Sequence, residues 1–443
     1  MSRPGVSVVG GGLAGSEAAW QLAELGYAVR LFEMRPDLRT PAHETGDLAE
    51  VVCTNSFKSE ALDTSHGILK AEMRRLGCML LTVADGCRVP AGNALAVDRR
   101  QFSAEVTRRV SSHARIRLST EEVRSIPDGP AIIATGPLTS DALSDSIRGL
   151  LGDTSLAFFD AIAPIISRES IDLDVTFSAS RYGKGGADYL NCPFDRGGYE
   201  GFIDALVAAD IHEGHDWDQV PYFEGCLPIE VMAGRGRETL RHGPMRPVGL
   251  PDPRTGRRPH AVVQLRMEDR AGQMWNLVGC QTRMRIGEQL KVFRMIPGLG
   301  EAEFLRFGSI HRNSYLNFPA HLSAHGAIDG RDSLMFAGQL TGVEGYTESI
   351  ASGLMAALNM DRILSGEPPV IPPPTTMIGG LYRYLREADP KHFQPMNANF
   401  GLLDPLSVPV RGRRKERRAA LGRRALEQIG EWWAESAPRG ALS

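Results

Sequence analysis

The sequence predicts an α/β fold, with a Rossmann-like nucleotide-binding domain that carries a smaller inserted α+β domain. Three features predict it. A strand, a glycine cluster, a helix and a second strand follow one another within the first 33 residues. A further strand, glycine loop and helix return at residues 333–358. Between them, from about residue 167 to residue 300, Gly and Pro become frequent and short strands alternate with turns. The chain therefore divides into residues 1–166 with 300–443, a discontinuous nucleotide-binding domain ending in a basic segment, and residues 167–299, the insertion.

Each element has its own justification. Val6–Val9 is a short apolar strand, and Gly10 to Gly15 form a glycine turn. Ser16–Leu25 has helical spacing, with Ala18, Ala19, Leu22 and Leu25 on one side, and Gly26 stops it. Tyr27–Phe32 is the second strand, with Glu33 at its end. Residues from Arg35 to Glu60 read as loop, His66–Gly77 as helix, and Ala131–Pro137 as an apolar strand running into Thr-Gly. Ser333–Ala337 is a buried strand, Gly338–Gly345 a second glycine loop, and Thr347–Leu358 a small-residue helix. Gly366–Thr375 is proline-rich and reads as an extended connector. Arg411–Arg424 holds eight basic residues and one acidic one.

Composition excludes several classes. At 443 residues the chain is too long for one ordinary core. Its formal net charge is −3, so nucleic acid would have to meet a local basic patch. The sequence has no run of 18 apolar residues, which argues against a membrane span. The glycine cluster begins at Gly10, leaving no room for a signal peptide, so a cytoplasmic protein is expected. The six cysteines (Cys53, Cys78, Cys87, Cys192, Cys226, Cys280) form no C-x-x-C pair. That spacing argues against a zinc site or a C-x-x-C redox disulfide, and no metal is expected.

Gly10, Gly12 and Gly15, with Gly11, Leu13 and Ala14 between them, fit G-x-G-x-x-G. Such glycines permit a tight turn, close approach of a pyrophosphate and close helix–strand packing. The helix N-terminus offers N–H groups to the anion, and Glu33, 23 residues after Gly10, can accept ribose hydroxyls. The position of the motif at the N-terminus and the late segment Phe336–Gly342, containing Gly338 and Gln339, favour FAD over NAD.

Five segments carry a family resemblance: Val8–Ala18 (VVGGGLAGSEA), Val51–Glu60 (VVCTNSFKSE), Glu224–Val231 (EGCLPIEV), Gly243–Gly249 (GPMRPVG) and Gly338–Gly353 (GQLTGVEGYTESIASG). Together they resemble the folate- and FAD-dependent tRNA (uracil-5-)-methyltransferase family, TrmFO, a sister of the MnmG family that modifies wobble uridine. The resemblance implies C5-methylation of uridine 54 in the tRNA T loop, with carbon from methylenetetrahydrofolate. It also implies electrons from reduced FAD, with NADPH or NADH re-reducing the flavin. By resemblance, Cys226 adds to uracil C6 and Cys53 is the second thiol, assisting methylene or proton transfer. The residue types suit that chemistry. Uracil C5 is a poor nucleophile until a thiolate adds to C6, and a flavin can supply the hydride that reduces a methylene to a methyl group.

Cys226 lies in a turn-like Gly-Cys-Leu-Pro context, and Cys53 is followed by Thr54, Asn55 and Ser56; both settings differ from that of a thiol in a periodic apolar stretch. Lys58 and Arg235 are candidate cations for a thiolate. His311 and Tyr346 are candidates to stack on the folate pterin. Arg413 and Arg414, in the basic stretch, are candidate contacts to tRNA phosphates, and Arg235, Arg237, Arg241 and Arg246 form a second basic set. No obligate protein partner is implied. Two other classes stand beside this reading: a flavin oxidoreductase acting on a small molecule, and a tRNA-binding module in which FAD is structural.

Overall fold

In the computed structural model the first strand, Val6–Val9, is central in a six-stranded sheet. The structure describes residues 3–40, 42–152, 155–212, 227–407 and 414–438, with the side chains of 155–162 and 310–314 excepted. Cys226 and Arg413, and the side chain of His311, lie outside the described residues.

Val6–Val9 pairs in parallel with Val29–Glu33 on one side and Ala131–Ile133 on the other. Ile116–Thr120 extends the sheet beyond Val29–Glu33, and Arg331–Phe336 extends it beyond Ala131–Ile133, both in parallel. The antiparallel pair Ala327–Ile328 closes that edge. Such strands are covered on both faces, which is why Val6, Val8, Leu31, Ile132 and Leu334 are all buried apolar residues. Helices Leu13–Glu24 and Tyr346–Leu364 pack on this sheet and against each other. Their contact is backbone-close: a Cβ on Gly353 would stand 2.1 Å from the Ala14 carbonyl oxygen.

The second sheet is antiparallel and runs from Phe177–Ser178 through Tyr189–Phe194, Ala261–Met267, Met274–Leu277 and Ile165–Ser167 to Phe304–Arg306. It has its own core, with Phe194, Phe202, Ile203, Leu265 and Phe293 at the centre. A long antiparallel ribbon, Ser155–Ile162 with Ser309–Leu316, stands where the chain enters and leaves this unit. The sequence reading and the structure agree on an α/β molecule with a parallel sheet.

Several elements differ from expectation. The first helix begins at Leu13, inside the glycine motif, so Gly15 is a helical residue. The segment read as loop from Arg35 to Glu60 ends in a strand, Ser56–Ser59, paired with Ala94–Val97. Its polar sequence hides it, because only Phe57 is buried and Lys58 sits at φ 63°. The late helix runs from Tyr346 to Leu364, past the expected end at Leu358.

Two buried carboxylates cap helices from outside. Glu17 accepts the Met79 and Leu80 N–H groups at 3.0 and 2.9 Å, at the start of helix Met79–Gly86. Glu72 accepts those of Met377 and Ile378 at 2.6 and 2.9 Å, at the start of helix Met377–Glu387. Burial pushes the Glu72 carboxyl up to about 8. Among the described residues no helix is long and apolar enough to cross a membrane.

Candidate active site

The carboxyl ends of Val6–Val9, Val29–Glu33 and Ala131–Ile133 open into a cleft. Strand order reverses at Val6–Val9, with the next strand in the chain on one side and a later one on the other, and ligands of open α/β sheets bind at such points. Gly10, Gly12, Leu13 and Ala14 line the cleft on one side, and Gly338 and Gln339 line it further along.

The glycines have different tasks. Gly10 has φ 102°, and a Cβ there would stand 2.6 Å from the Ala134 carbonyl oxygen. A Cβ on Gly15 would stand 1.8 Å from the Gly10 carbonyl oxygen, and one on Gly11 would strike Leu48 at 2.4 Å. Those three are excluded by the protein itself. At Gly12 an added Cβ meets nothing within 4 Å, and Gly12 is the N-cap of the first helix with no side chain capping it. The result is an open cradle at an uncapped helix start, where backbone N–H groups and the helix dipole favour a phosphate. The residues therefore fit a dinucleotide with its pyrophosphate against Gly12.

Glu33 ends the second strand as expected and lines the cleft. Its carboxylate is already engaged. Oε1 accepts from the Arg35 N–H at 3.0 Å and from Arg35 Nε at 2.9 Å, and Oε2 accepts from the Gly11 N–H at 3.0 Å and from Arg35 Nη2 at 3.0 Å. Burial would raise the carboxyl, but the Arg35 guanidinium overcomes it and holds the pKa below the ordinary value. Four donors fill the acceptor sites of a carboxylate, so a ribose hydroxyl reaches Glu33 only by displacing one of them. Arg35 escaped the sequence reading. It lies in the turn that follows the strand, where no strand periodicity marks it.

Val52 and Tyr346 also line the cleft, and Cys53 follows Val52. Cys53 is half-buried. Tyr346 Oη accepts the N–H groups of Cys53 and Thr54 at 2.7 and 3.1 Å. Burial first, and then the charge of Cys53, raise the Tyr346 phenol above its ordinary value, so it stays protonated at neutral pH. Its ring packs tilted against Phe57, with centroids 5.7 Å apart.

A cation that interacts electrostatically with Cys53 is one the sequence does not suggest. Arg306, from the last strand of the second sheet, interacts electrostatically with Cys53 and Tyr346 and lies 3.5 Å from Glu44. Lys58 instead faces Glu348, whose carboxylate also lies 3.3 Å from His66 Nδ1. Arg235 caps the short helix Ile229–Gly234 and is exposed. Of the second basic set, Arg237 pairs with Asp204, and Arg241 pairs with Glu238 at 2.7 Å. No linear signal joins Arg306 to Cys53, since 253 residues separate them.

The remaining candidates are placed as follows. Gln339 donates to Glu344 at 2.7 Å, and the Gly338 N–H donates to Ser352 Oγ at 2.6 Å, which fixes the second loop. Backbone pairing sets His311 opposite Asp160 in the ribbon. Arg414 opens the C-terminal helix Arg414–Ser436 and is exposed. That helix packs on helix Ser65–Arg75, and its Lys415 lies 3.8 Å from Asp63. Cys78, Cys192 and Cys280 are fully buried, and burial raises each thiol.

A parallel sheet, a glycine turn and a cleft at the strand switch define a dinucleotide-binding α/β protein. The family model described as Glucose inhibited division protein A matches residues 5–368. The Methylenetetrahydrofolate--tRNA-(uracil-5-)-methyltransferase TrmFO of Desulforudis audaxviator is 55% identical over 432 residues, covering 97% of this chain and 98% of that protein. Its namesake in Geobacter sulfurreducens is 53% identical over 431 residues, covering 97% and 99%. The chain also superposes on Aquifex aeolicus GidA with a TM-score of 0.70 and 16% identity, over 97% of this chain and 73% of that one, a likeness of fold. The chain belongs to the TrmFO family of methylenetetrahydrofolate–tRNA-(uracil-5-)-methyltransferases.

Proposed function

We propose that this chain methylates C5 of uridine 54 in the T loop of tRNA, taking the carbon from methylenetetrahydrofolate and electrons from NADPH or NADH by way of FAD. The observation that carries the reading is the 55% identity over 97% of the chain to a protein named for uracil-5 methylation. The cleft supports it, since Val52, the neighbour of Cys53, and Tyr346, which accepts the Cys53 N–H, line the same cleft as Gly10 and Gly12. Gly10 to Gly15 would hold the FAD pyrophosphate, with Gly338 and Gln339 on the far side. When bound, FAD supplies the hydride that completes a methyl group.

The chain's own groups do the rest. Cys226, outside the described residues, adds as thiolate to uracil C6, forming the S–C6 bond at the expense of the C5=C6 π bond and making C5 nucleophilic; once C5 carries the new carbon, loss of the C5 proton re-forms C5=C6 and expels the Cys226 thiolate. Cys53 assists methylene transfer or carries the proton that must leave C5. Arg306 interacts electrostatically with Cys53. Tyr346 holds the Cys53 backbone, and either it or His311 stacks on the pterin. Arg413, Arg414 and the basic face that follows them contact tRNA phosphates.

Incubating the flavin-containing protein with unmodified tRNA, methylenetetrahydrofolate and NADPH tests the reading. New 5-methyluridine at position 54 supports it. Flavin oxidation and reduction without nucleoside change would instead favour an oxidoreductase on a small molecule. Cys226→Ala should abolish transfer and leave the yellow flavin bound; surviving transfer would remove Cys226 from its role.

A further inference from the structure

The segment Val51–Asn55 has no regular structure of its own, so its shape comes from the side chains that grip it. They arrive from three directions. Tyr346 Oη takes the N–H groups of Cys53 and Thr54 from the cleft side. Arg99, at the start of helix Arg99–Ser112, donates from Nη1 to the Val51 carbonyl oxygen at 2.9 Å. The inserted unit supplies the third grip. Arg266 Nε donates to Asn55 Oδ1 at 2.9 Å, and its Nη2 donates to Thr54 Oγ1. Asn55 Nδ2 in turn donates to the Met267 and Val97 carbonyl oxygens, each at 2.9 Å.

Behind this grip stands a fully buried carboxylate. Glu268 Oε2 accepts from Arg99 Nε and Nη2 at 2.9 and 2.8 Å, and its Oε1 lies 3.9 Å from Arg266 Nη2. The order Arg99–Glu268–Arg266 thus spans from the first domain to the strand Ala261–Met267 of the insertion. Removing three such groups from water is costly unless their geometry is used. Here the geometry has a use, because the two arginines bond to both ends of the five residues that contain Cys53.

We propose that Arg266, backed by Glu268, is a positioning residue for Cys53, setting where the thiol stands relative to the nucleotide cleft and making that position depend on docking of the insertion. The inference rests on the reading of Cys53 as a reactive thiol. A guanidinium is suited to the task. Its rigid fork engages Thr54 and Asn55 together, the two residues immediately after Cys53, which a single ammonium cannot match. Tyr346 fixes the same turn from the opposite side, so loss of Arg266 releases one side of the thiol and leaves the flavin wall intact.

The test uses the full-length flavin-containing protein with Arg266→Met, Arg266→Lys and Thr54→Val, alongside Cys53→Ala. Thr54→Val removes the acceptor of Arg266, together with the longer bond from the Ser56 N–H at 3.3 Å, and keeps the test open should Arg266→Met fail to fold. Four quantities are read: kcat and KM for tRNA methylation, flavin content, and the pH profile of iodoacetamide alkylation mapped to Cys53. The expected result is a fall in kcat of about tenfold or more for Arg266→Met and a smaller fall for Thr54→Val, since misplacing a reacting group by an ångström has effects of this order. KM for tRNA and flavin content stay near wild type, the Cys53 alkylation profile shifts, and Arg266→Lys restores little. Wild-type kcat in Arg266→Met and Thr54→Val, with Cys53→Ala inactive, overturns the inference alone. A fall in kcat that tracks lost flavin, with an unchanged alkylation profile, also overturns it, because that is a folding effect. Full activity in Cys53→Ala overturns both the role of Cys53 and the inference built on it.

Discussion

At the glycine end of the cleft, position is set by backbone against backbone. The helices Leu13–Glu24 and Tyr346–Leu364 meet so closely at Gly353, and the turn closes so tightly at Gly15, that neither site has room for one more carbon. At the Cys53 end, position is set by side chains. Tyr346, Arg99 and Arg266 each reach an irregular segment from a different element. The first construction is rigid and depends on excluded volume. The second is adjustable and depends on charge and hydrogen bonds. That division suits the proposed site, in which a cofactor would be held still while the Cys53 thiol meets a large incoming substrate.

Removing a charge should harm the second end most. Arg99→Met leaves Glu268 buried without its closest cation, and breaking a buried pair from one side costs about 3–5 kcal/mol. Urea unfolding of the flavin-free protein measures this, and an unchanged unfolding free energy would mean that charge does not hold this end together. Adding volume should harm the first end. Gly353→Ala forces a methyl group to within 2.1 Å of the Ala14 carbonyl oxygen. Overpacking of this kind costs about 1–3 kcal/mol, read as a lower denaturation midpoint.

A pH series sharpens the contrast. Glu348 lies near the start of the helix that carries Tyr346. Burial would raise its carboxyl, but His66 and Lys58 bring it down to about 2. A carboxyl depressed in the folded state contributes stability above its unfolded value, and loses that contribution as the pH falls through the folded one. The stability advantage of the wild type over Glu348→Gln should therefore be complete above pH 4.5 and shrink as the pH falls toward 2. A gap that stays constant with pH would show that Glu348 is not held charged by its neighbours.

The same two ends differ in how far the sequence revealed them. The glycine turn, helix and Glu33 fit in a window of 24 residues, and each carries its own local signal. Even there the structure starts the helix three residues before the expected Ser16, because Gly15 lies in the first helical turn and packs against the Gly10 carbonyl oxygen. Helix Arg99–Ser112 is not among the elements read from the sequence, although Asp98 caps it by accepting from the Arg100 and Gln101 N–H groups and Phe102, Val106 and Val110 are buried along one side. The Cys53 end had no such cues. Arg266 and Asn55 are 211 residues apart and Cys53 and Tyr346 are 293 apart, so only the folded chain brings them together. Ser56–Ser59 was missed for a related reason: its strand character comes from pairing with Ala94–Val97 and not from its own composition.

The claim that this cleft is a dinucleotide site meets its most direct test at Gly12. A Cβ there touches nothing in the protein, and the backbone is extended at φ −72° and ψ −168°, which alanine adopts freely. Gly12→Ala should therefore lower the unfolding free energy of the flavin-free protein by no more than about 1 kcal/mol, the difference between glycine and alanine at an N-cap. On the proposed site the same methyl group enters the space a pyrophosphate would take, so FAD affinity, titrated by flavin fluorescence, should fall about tenfold or more, equivalent to about 1.4 kcal/mol. Undiminished FAD affinity in a stable Gly12→Ala protein would contradict the account.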